Sequence, residues 1–470
     1  MIERVELAKE DSSISPKHGL LSWGRTVLGL DKAIAFTILA RCWSSAAGLI
    51  TVMLIARFLS LDEQGYYYTF GSLVALQIVF ELGFSYVILQ MASHEIVHLN
   101  ISPNFSISGD AIAHARLASV LQKAVRWYTA AALLMASLLI PCGFLFFGSH
   151  QQGNHPPGWR LAWGITVLAA TAAFQLDPFL SFLEGCGFVS KIARLRLMQA
   201  AAGSVLAWVA LISHHGLLAP AMMITGTAST TFIWLWGKRK ILLGLFRYPL
   251  GEHRVAWRRE VWPFQWRIAV SWLAGYFIFQ LFNPVLFAFK GPVAAGQMGM
   301  SLSLVNALQA VAVSWISTKS APFGAMIARK NYKQLDDVFF RALWQSVGVF
   351  LAGGFLVWLG CVYLNREHIR FAQRLLAPSL LGLLLLVGVI NVVVTAQALY
   401  LRAHKQEKFL ANSVLGAISI SLSTYFLGRS YGAAGIIIGF FVISLFLGIG
   451  GGTYVFQKYR KIWHAESLRQ

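Results

Sequence analysis

Three ionisable side chains, Arg41, Glu81 and Asp177, fall within long apolar segments of the chain. Placing an ionisable group at the centre of a bilayer costs about 2.5–3.5 kcal/mol, so such a residue indicates a function. At about 1.5 Å of rise per helical residue, all three lie roughly 10–18 Å from the same end of the bundle. We predict one buried network, in which Arg41 binds substrate and Glu81 and Asp177 form a coupling site for a proton or Na⁺. The alternative is an ion-pair network that only stabilises this half.

Small and polar residues accompany two of these groups at helical spacing. Arg41 shares a stripe with Ser44, Ser45 and Gly48, and such a stripe is expected to face the interior of a bundle. Asp177 shares a face with Ser181 and Glu184, and Pro178 frees a backbone carbonyl beside it. Glu184 lies close enough to the surface for simple solvation.

The second half of the chain has no carboxylate in any apolar segment and offers amides and one amine instead. The polar residues of its first two apolar segments include Tyr276, Gln280, Asn283, Lys290, Asn306 and Gln309. We predict that all of these except Tyr276 bind substrate, with the amides hydrogen-bonding to sugar hydroxyls. The alternative is that the amides only join helices, at about 0.6 kcal/mol each, and that Lys290 extends to the membrane surface.

Several kinds of chemistry have no motif in this sequence. It contains no nucleotide-binding glycine loop of the Walker type, no H-E-x-x-H and no G-x-S-x-G. The four cysteines show no paired spacing and are predicted to be small apolar residues, neither disulfides nor metal ligands. We therefore predict no cofactor, no metal site and no enzymatic activity.

The composition identifies the elements that carry these residues. Apolar residues make up 57% of the chain and charged residues 12%, with a mean hydropathy of +0.62, which excludes an ordinary water-soluble domain. We predict an all-α, polytopic membrane bundle. A helix needs about 20 residues to cross a bilayer, and twelve segments of the chain meet this length: 34–58, 66–92, 127–148, 160–184, 192–213, 216–237, 268–290, 295–318, 339–363, 375–401, 409–428 and 433–457.

The basic residues indicate the orientation. Of the 39 basic residues, 31 fall in segments on one side of the predicted bundle and six on the other. Because basic loops stay in the cytoplasm, we predict that both termini are cytoplasmic. The net charge of +20 then reflects loops that bind anionic membrane lipids, and no nucleic-acid partner is expected.

The chain divides at its longest polar stretch into two halves with six predicted spans each. The predicted segments are a cytoplasmic segment, 1–33, with an amphipathic surface helix at 18–32; an N-lobe, 34–237; a basic cytoplasmic linker, 238–267; a C-lobe, 268–457; and a cytoplasmic tail, 458–470. At an offset of 231 residues, Gly65 matches Gly296 and Ser72-Leu73-Val74 matches Ser303-Leu304-Val305. Two such halves favour alternating access to a cavity between them.

Three stretches resemble the polysaccharide (O-antigen) flippases of the Wzx type, in the multidrug/oligosaccharidyl-lipid/polysaccharide (MOP) exporter superfamily, which also contains the MATE drug exporters. They are ARFLSLDEQGYYYTFGSLVALQIVFELGFS from Ala56 to Ser85, FNPVLFAFKGPVAAGQMGMSLSL from Phe282 to Leu304, and YLRAHKQEKF from Tyr400 to Phe409. The resemblance implies a flippase of the bacterial inner membrane. Such a flippase moves an undecaprenyl-pyrophosphate-linked oligosaccharide to the periplasmic leaflet, holds its anionic head in a cationic cavity and uses an ion gradient.

The resemblance implies further partners besides this substrate and the membrane lipids. These are a polysaccharide polymerase and a chain-length regulator, and we expect the flippase itself to be a monomer. Two other functions stay open: a MATE-like exporter of small cationic drugs, and a membrane-embedded polysaccharide polymerase or glycosyltransferase. The carboxylates would suit cationic drugs, whereas Arg41 and Lys290 disfavour them. The longest predicted external loops, 149–159 and 364–374, are short and hold Glu367 as their only carboxylate, which disfavours an enzyme.

The orientation can be tested with a reporter that is active only in the periplasm. Fusion after Gly153 should give an active reporter, and fusion after Glu252 should give a silent one, because the two sites lie on opposite sides of the predicted bundle. The opposite pattern of reporter activity would overturn the orientation.

Overall fold

The structure, a computed structural model, describes residues 32–101, 107–150, 155–250, 255–404 and 408–468. The amphipathic helix predicted at 18–32 lies almost wholly outside the described residues, as does the end of the tail. In the first half the helices are α1 (Lys32–Phe58), α2 (Leu61–Val74), α3 (Gln77–Glu81), α4 (Phe84–Glu95), α5 (Ala111–Ser149), α6 (Trp159–Gly185), α7 (Val189–Ile212), α8 (Ala219–Trp236) and α9 (Arg239–Arg247).

In the second half the helices are α10 (Trp262–Phe279), α11 (Phe282–Lys290), α12 (Pro292–Ser317), α13 (Ser320–Ala328), α14 (Tyr332–Arg366), α15 (Pro378–Ala403), α16 (Leu410–Ile443) and α17 (Gly452–Leu468). Short 3₁₀ turns cover Ile96–His98, Gly216–Leu218 and Arg370–Arg374, and π-helical turns cover Trp257–Val261 and Ser444–Gly451. A small antiparallel hairpin, β1 (Leu99–Ile101) with β2 (Ile107–Gly109), precedes α5.

The predicted all-α, polytopic bundle is confirmed. Within the described residues, nine helices are long and apolar enough to cross a membrane, or up to eleven if each of two bent pairs counts as one span. One of the nine, Leu410–His464, contains both of the last two predicted spans and includes Gly432, whose φ of 63° and ψ of −140° break the helix. The total of twelve spans stays a prediction.

Two predicted spans are bent at positions that hydropathy does not mark. The second span bends by 44° between α3 and α4, where Leu82 and Gly83 adopt left-handed backbone angles. Gly83 also packs directly on α10, since a Cβ there would clash with the side chain of Ile268. The seventh span bends by 40° between α11 and the part of α10 that begins at Ile268.

The two halves approach each other closely at the crossing of α2 and α12. These helices begin at Leu61 and Pro292, which are separated by the offset of 231 residues seen in the sequence. A Cβ on Gly65 would lie 2.0 Å from the carbonyl oxygen of Pro292, and one on Gly296 would lie 3.0 Å from the backbone nitrogen of Gly65. The matched glycines therefore lie against each other, and small residues are what such an approach requires.

Different residues contact each other at the two ends of the bundle. At the end predicted to be external, which we call the outer end, the Tyr66 hydroxyl is 2.8 Å from Nδ1 of His155. At the opposite, inner end, which is predicted to be cytoplasmic, Gln122 donates to the carbonyl oxygens of Leu245 and Tyr248 at 3.3 and 3.1 Å. Loops predicted to lie on one side thus contact each other, as the predicted topology requires.

An ionic clamp holds the segment between the halves against the first half. Arg116 on α5 donates to Glu95 and to Glu260, both at 2.7 Å, and Lys123 donates to the carbonyl oxygen of Val255 at 2.5 Å. The hydrogen bond from Arg116 lowers the pKa of Glu260, with a further contribution from the backbone N–H of Ala256. Because this pKa is depressed in the folded state, the clamp stabilises the fold above the ordinary glutamate pKa and weakens as the pH falls.

At the inner end of the second half, Asp336 joins three helices. It accepts hydrogen bonds from Nε and Nη2 of Arg460 on α17, at 2.9 and 2.5 Å, and from the Tyr400 hydroxyl on α15 at 3.0 Å. The Asp336 residue is 8% exposed. Its carboxylate therefore fixes the last helix to the bundle.

Asp336→Asn should lower the free energy of unfolding by about 1–3 kcal/mol, because charge-assisted hydrogen bonds are lost while Arg460 keeps its charge. Thermal unfolding in detergent measures this as a lower midpoint. The matched control is Asp337→Asn, since the neighbouring Asp337 is exposed and should unfold like the parent. Equal midpoints for the two variants would contradict the role of Asp336.

Candidate functional site

A cavity of about 630 Å³ lies between α1, α7 and α12. Its lining consists mostly of small and polar residues: Thr37, Ala40, Arg41, Ser44, Ser45, Gly48, Ala193, Arg196, Ala200, Ser303, Asn306, Ala307 and Ala310. Since α1 and α7 begin at the inner end and α12 ends there, the cavity occupies the inner part of the bundle. The predicted stripe of Arg41, Ser44, Ser45 and Gly48 faces this cavity.

Two tryptophans fix the wall of the cavity that α1 provides. Nε1 of Trp43 donates to Ser204 on α7 at 3.0 Å, and Nε1 of Trp208 donates to Thr51 on α1 at 2.9 Å. Indole N–H groups away from water need an acceptor, so these bonds set the rotation of α1 against α7. That rotation turns the face with Arg41 toward α12.

Arg41 reaches across to the second half of the chain. Its Nη1 donates to the Ser317 hydroxyl, at the end of α12, at 2.9 Å. The remaining donors of this exposed guanidinium are available to the cavity that it lines. Arg41 therefore presents a positive charge to the cavity and also bridges the two halves near the inner end.

Arg196 on α7 is a second cation in the cavity, and sequence reasoning missed it as a site residue. Its Nη2 donates to Glu184 on α6 at 2.6 Å, and its side chain is 59% exposed. Ala193 and Ala200 flank it along the same helical face and also line the cavity. That spacing of small residues around a cation was the signal in the sequence that marked a cavity face.

The predicted acidic pair lies together in the first half, on α3 and α6. Glu81 is the last residue of α3, immediately before the bend at Leu82, and its carboxyl approaches the hydroxyls of Ser85 and Tyr128. Those hydroxyls are 2.7 Å apart. Asp177 interacts electrostatically with Glu81 and with Arg196. The two carboxylates thus share one half-buried polar cluster inside the first half.

The predicted network joined Arg41 to both carboxylates, and this choice of cation is wrong. Within the described structure Asp177 is influenced by Arg196, whereas Arg41 bonds to Ser317. The depth of a residue along its helix does not determine the direction in which its side chain points. Docking of α1 on α7 turns Arg41 to the cavity and leaves Arg196 as the cation near the acidic pair.

The predicted amides separate into different places. Asn306 lines the cavity, and Gln309 lies one helical turn further along α12 and is not among the lining residues. Asn283 is 7% exposed and donates to the Ser72 hydroxyl at 3.1 Å, so it joins α11 to α2. Gln280 lies at the bend between α10 and α11. Lys290 donates to the carbonyl oxygen of Ser430 at 3.3 Å at the outer end, away from the cavity.

The described residues contain no group of three or more histidine, cysteine or carboxylate side chains that could hold a metal ion. The four cysteines are unpaired. The carboxylate and hydroxyl oxygens around Glu81 are atoms of the kind that bind a proton or a hard cation.

No sequence-family model matches this chain, and no curated protein matches it in sequence. Solved structures do match its fold. An inward-facing multidrug-resistance MATE transporter of the MOP superfamily matches with a TM-score of 0.63 at 13% identity, over 91% of this chain and 98% of the other.

Two further structures are similar over nearly the whole chain. The MATE multidrug transporter DinF-BH has a TM-score of 0.59 at 12% identity over 92% of this chain and 96% of its own. The lipid II flippase MurJ, in an inward closed conformation, has a TM-score of 0.57 at 14% identity over 93% of this chain and 91% of its own. The protein is therefore a multi-pass membrane protein with the fold of MATE and other MOP-superfamily transporters.

Proposed function

We propose that this protein is a flippase of the bacterial inner membrane. Its proposed substrate is an undecaprenyl-pyrophosphate-linked oligosaccharide, an O-antigen or similar repeat unit, which it moves from the cytoplasmic to the periplasmic leaflet. The observation that carries this proposal is the charge of the cavity: its described lining residues include Arg41 and Arg196 and no carboxylate. A diphosphate is the group on such a substrate that two arginines would bind, by paired N–H···O contacts.

The rest of the lining suits the sugar and the lipid. Hydroxyls from Ser44, Ser45 and Ser303 and the amide of Asn306 can exchange hydrogen bonds with sugar hydroxyls. The volume of about 630 Å³ is within the usual range of roughly 300–1,000 Å³ for ligand sites. Apolar residues of α1 such as Ile38 and Leu39 are exposed at this level, so a polyprenyl tail can stay in the bilayer while the head enters.

We also propose that Glu81 and Asp177 couple transport to a proton or Na⁺ gradient. Both side chains belong to one polar cluster, and a carboxylate pair that gains a cation loses its mutual repulsion. Arg196 links this cluster to the substrate cavity, because it lines the cavity and also interacts with Asp177 and Glu184. Binding of an anion to Arg196 would thereby change the electrostatics of the acidic pair.

A MATE-like exporter of small cationic drugs is the second candidate. The similar folds of multidrug transporters and the acidic pair favour it. The arginines on the cavity wall oppose it, because a cationic drug would be repelled where it must bind. An enzymatic role is not proposed, since the similar structures are transporters and flippases. A polymerase and a chain-length regulator are the proposed protein partners of the flippase.

Arg41→Ala and Arg196→Ala should each reduce surface polysaccharide by roughly tenfold or more, because each removes charge-assisted hydrogen bonds to the diphosphate. The measurement is polysaccharide export in cells that depend on this protein. Arg41→Lys should keep part of the activity, since lysine preserves the charge but not the forked geometry.

The matched control is Arg194→Ala, because Arg194 is exposed on α7 two residues from Arg196 and does not line the cavity. It should export like the parent. If the two alanine variants lower only the amount of folded protein, with normal export per molecule, the arginines are structural and the proposed substrate site is wrong.

Neutralising the essential carboxylate, by Glu81→Gln or Asp177→Asn, should uncouple transport from the ion gradient while preserving the fold. In reconstituted vesicles, transport by the parent should follow an imposed pH or Na⁺ gradient, and at least one variant should not. Asp337→Asn serves as the control, since Asp337 lies outside the acidic pair and is exposed. Gradient-driven transport by both variants at the parental rate would show that the pair is structural.

A further inference from the structure

Arg374 connects the two halves of the chain at the outer end. It is the last residue of the 3₁₀ turn Arg370–Arg374, which lies between α14 and α15 in the second half. Its Nη1 donates to Oε1 of Gln64 at 2.9 Å, and its Nη2 donates to the carbonyl oxygen of Leu59 at 2.5 Å. Both acceptors belong to the first half, where α1 passes into α2.

Gln64 returns hydrogen bonds in the opposite direction. Its Nε2 donates to the carbonyl oxygen of Arg374 at 3.1 Å and to that of Gly296 at 2.9 Å. The residue is 1% exposed, so its amide has no access to water in this state. All four hydrogen bonds cross from one half to the other, and none would survive separation of the halves at this end.

The helices beneath these bonds are closely packed. A Cβ on Gly65 would clash with the backbone of Pro292, and one on Gly299 would lie 2.3 Å from the ring of Tyr68. Ser72, further along α2, is 4% exposed and accepts a hydrogen bond from Asn283. The contact between α2 and the second half is therefore closely packed from Gly65 down to the level of Ser72.

The half-buried charge of Arg374 is stabilised by these hydrogen bonds. It is half-buried and its bonded acceptors are neutral, with the Glu63 carboxylate close enough to interact electrostatically. Burial lowers the pKa of Arg374, an effect that Glu63 partly offsets. A desolvated cation is stable only while its acceptors stay in place, so parting of the halves would release Arg374 to water.

We propose that Arg374 and Gln64 form the latch of the outer end, which is closed while the cavity faces inward and which must open for release of substrate outward. The latch rests on the alternating access of the proposed function but not on the identity of the substrate. It acts on a conformational equilibrium, and breaking it should raise the population of the outward-open state.

The test uses Ser72→Cys as a reporter beneath the latch, labelled with a membrane-impermeant maleimide added to the outside of cells. Adding Arg374→Ala should raise the labelling rate about tenfold, the effect of losing one or two charge-assisted hydrogen bonds. Gln64→Met, which keeps the size but removes the amide, should act in the same direction. The protein without Ser72→Cys gives the background from its four native cysteines.

The matched control is Arg370→Ala, since Arg370 lies in the same turn but is exposed, and it should label at the parental rate. The unfolding midpoint of each purified variant shows whether the fold is intact. Parental labelling rates in folded Arg374→Ala and Gln64→Met proteins would overturn the latch. Labelling needs neither substrate nor gradient. The labelling result can therefore be interpreted even if the proposed transport activity is not found.

Discussion

The architecture depends on one steric constraint, the crossing of α2 and α12 at Gly65 and Gly296. A Cβ on either glycine would overlap or crowd the backbone of the other helix, so the two helices can approach this closely only without side chains. The two glycines are separated by the same 231 residues as the starts of their helices. The residues matched at this offset in the sequence therefore contact each other in the structure. The crossing closes the outer end and leaves the cavity where α1, α7 and α12 diverge toward the inner end.

The charged side chains of the proposed sites lie in two places, the cavity and the acidic cluster of the first half. One side chain, that of Arg196, connects the two places. Arg41 and Arg196 line the cavity, while Glu81 and Asp177 lie in a separate cluster within the first half. Arg196 belongs to both, since it faces the cavity, donates to Glu184 and interacts with Asp177. In the proposed cycle a diphosphate in the cavity would compete with the carboxylates for the guanidinium of Arg196, and a cation bound at the carboxylates would release that guanidinium to the diphosphate. That shared partner is a physical route for coupling between two sites.

Hydropathy predicts the membrane bundle, because each span must match the thickness of the hydrocarbon core. The distribution of basic residues predicts which loops meet at each end, because basic loops stay on one side of the membrane. They could not predict the rotation of each helix. Depth along the span does not give the partners of Arg41, since the direction of its side chain depends on how α1 packs on α7, including the contacts of Trp43 and Trp208. Arg196 lies near the end of a predicted span, where its charge alone resembles that of a loop cation; only the small residues Ala193 and Ala200 on the same helical face mark it as a cavity residue. The bends at Gly83 and Gln280 likewise depend on packing between distant helices.

The polar residues that join the two halves at the outer end are neutral or bonded to neutral partners, which has a consequence for the proposed transport cycle. Asn283 bonds to the Ser72 hydroxyl, Tyr276 to the Ser72 carbonyl oxygen, and Gln64 to the carbonyl oxygen of Gly296. Such interhelical hydrogen bonds contribute about 0.6 kcal/mol each on average, so these bonds together contribute only a few kcal/mol to the closed state. Breaking a buried ion pair would leave an uncompensated charge and cost more. A closure built from weak bonds around a glycine crossing can therefore be stable at rest and still be opened by the differential binding energy of a substrate or ion.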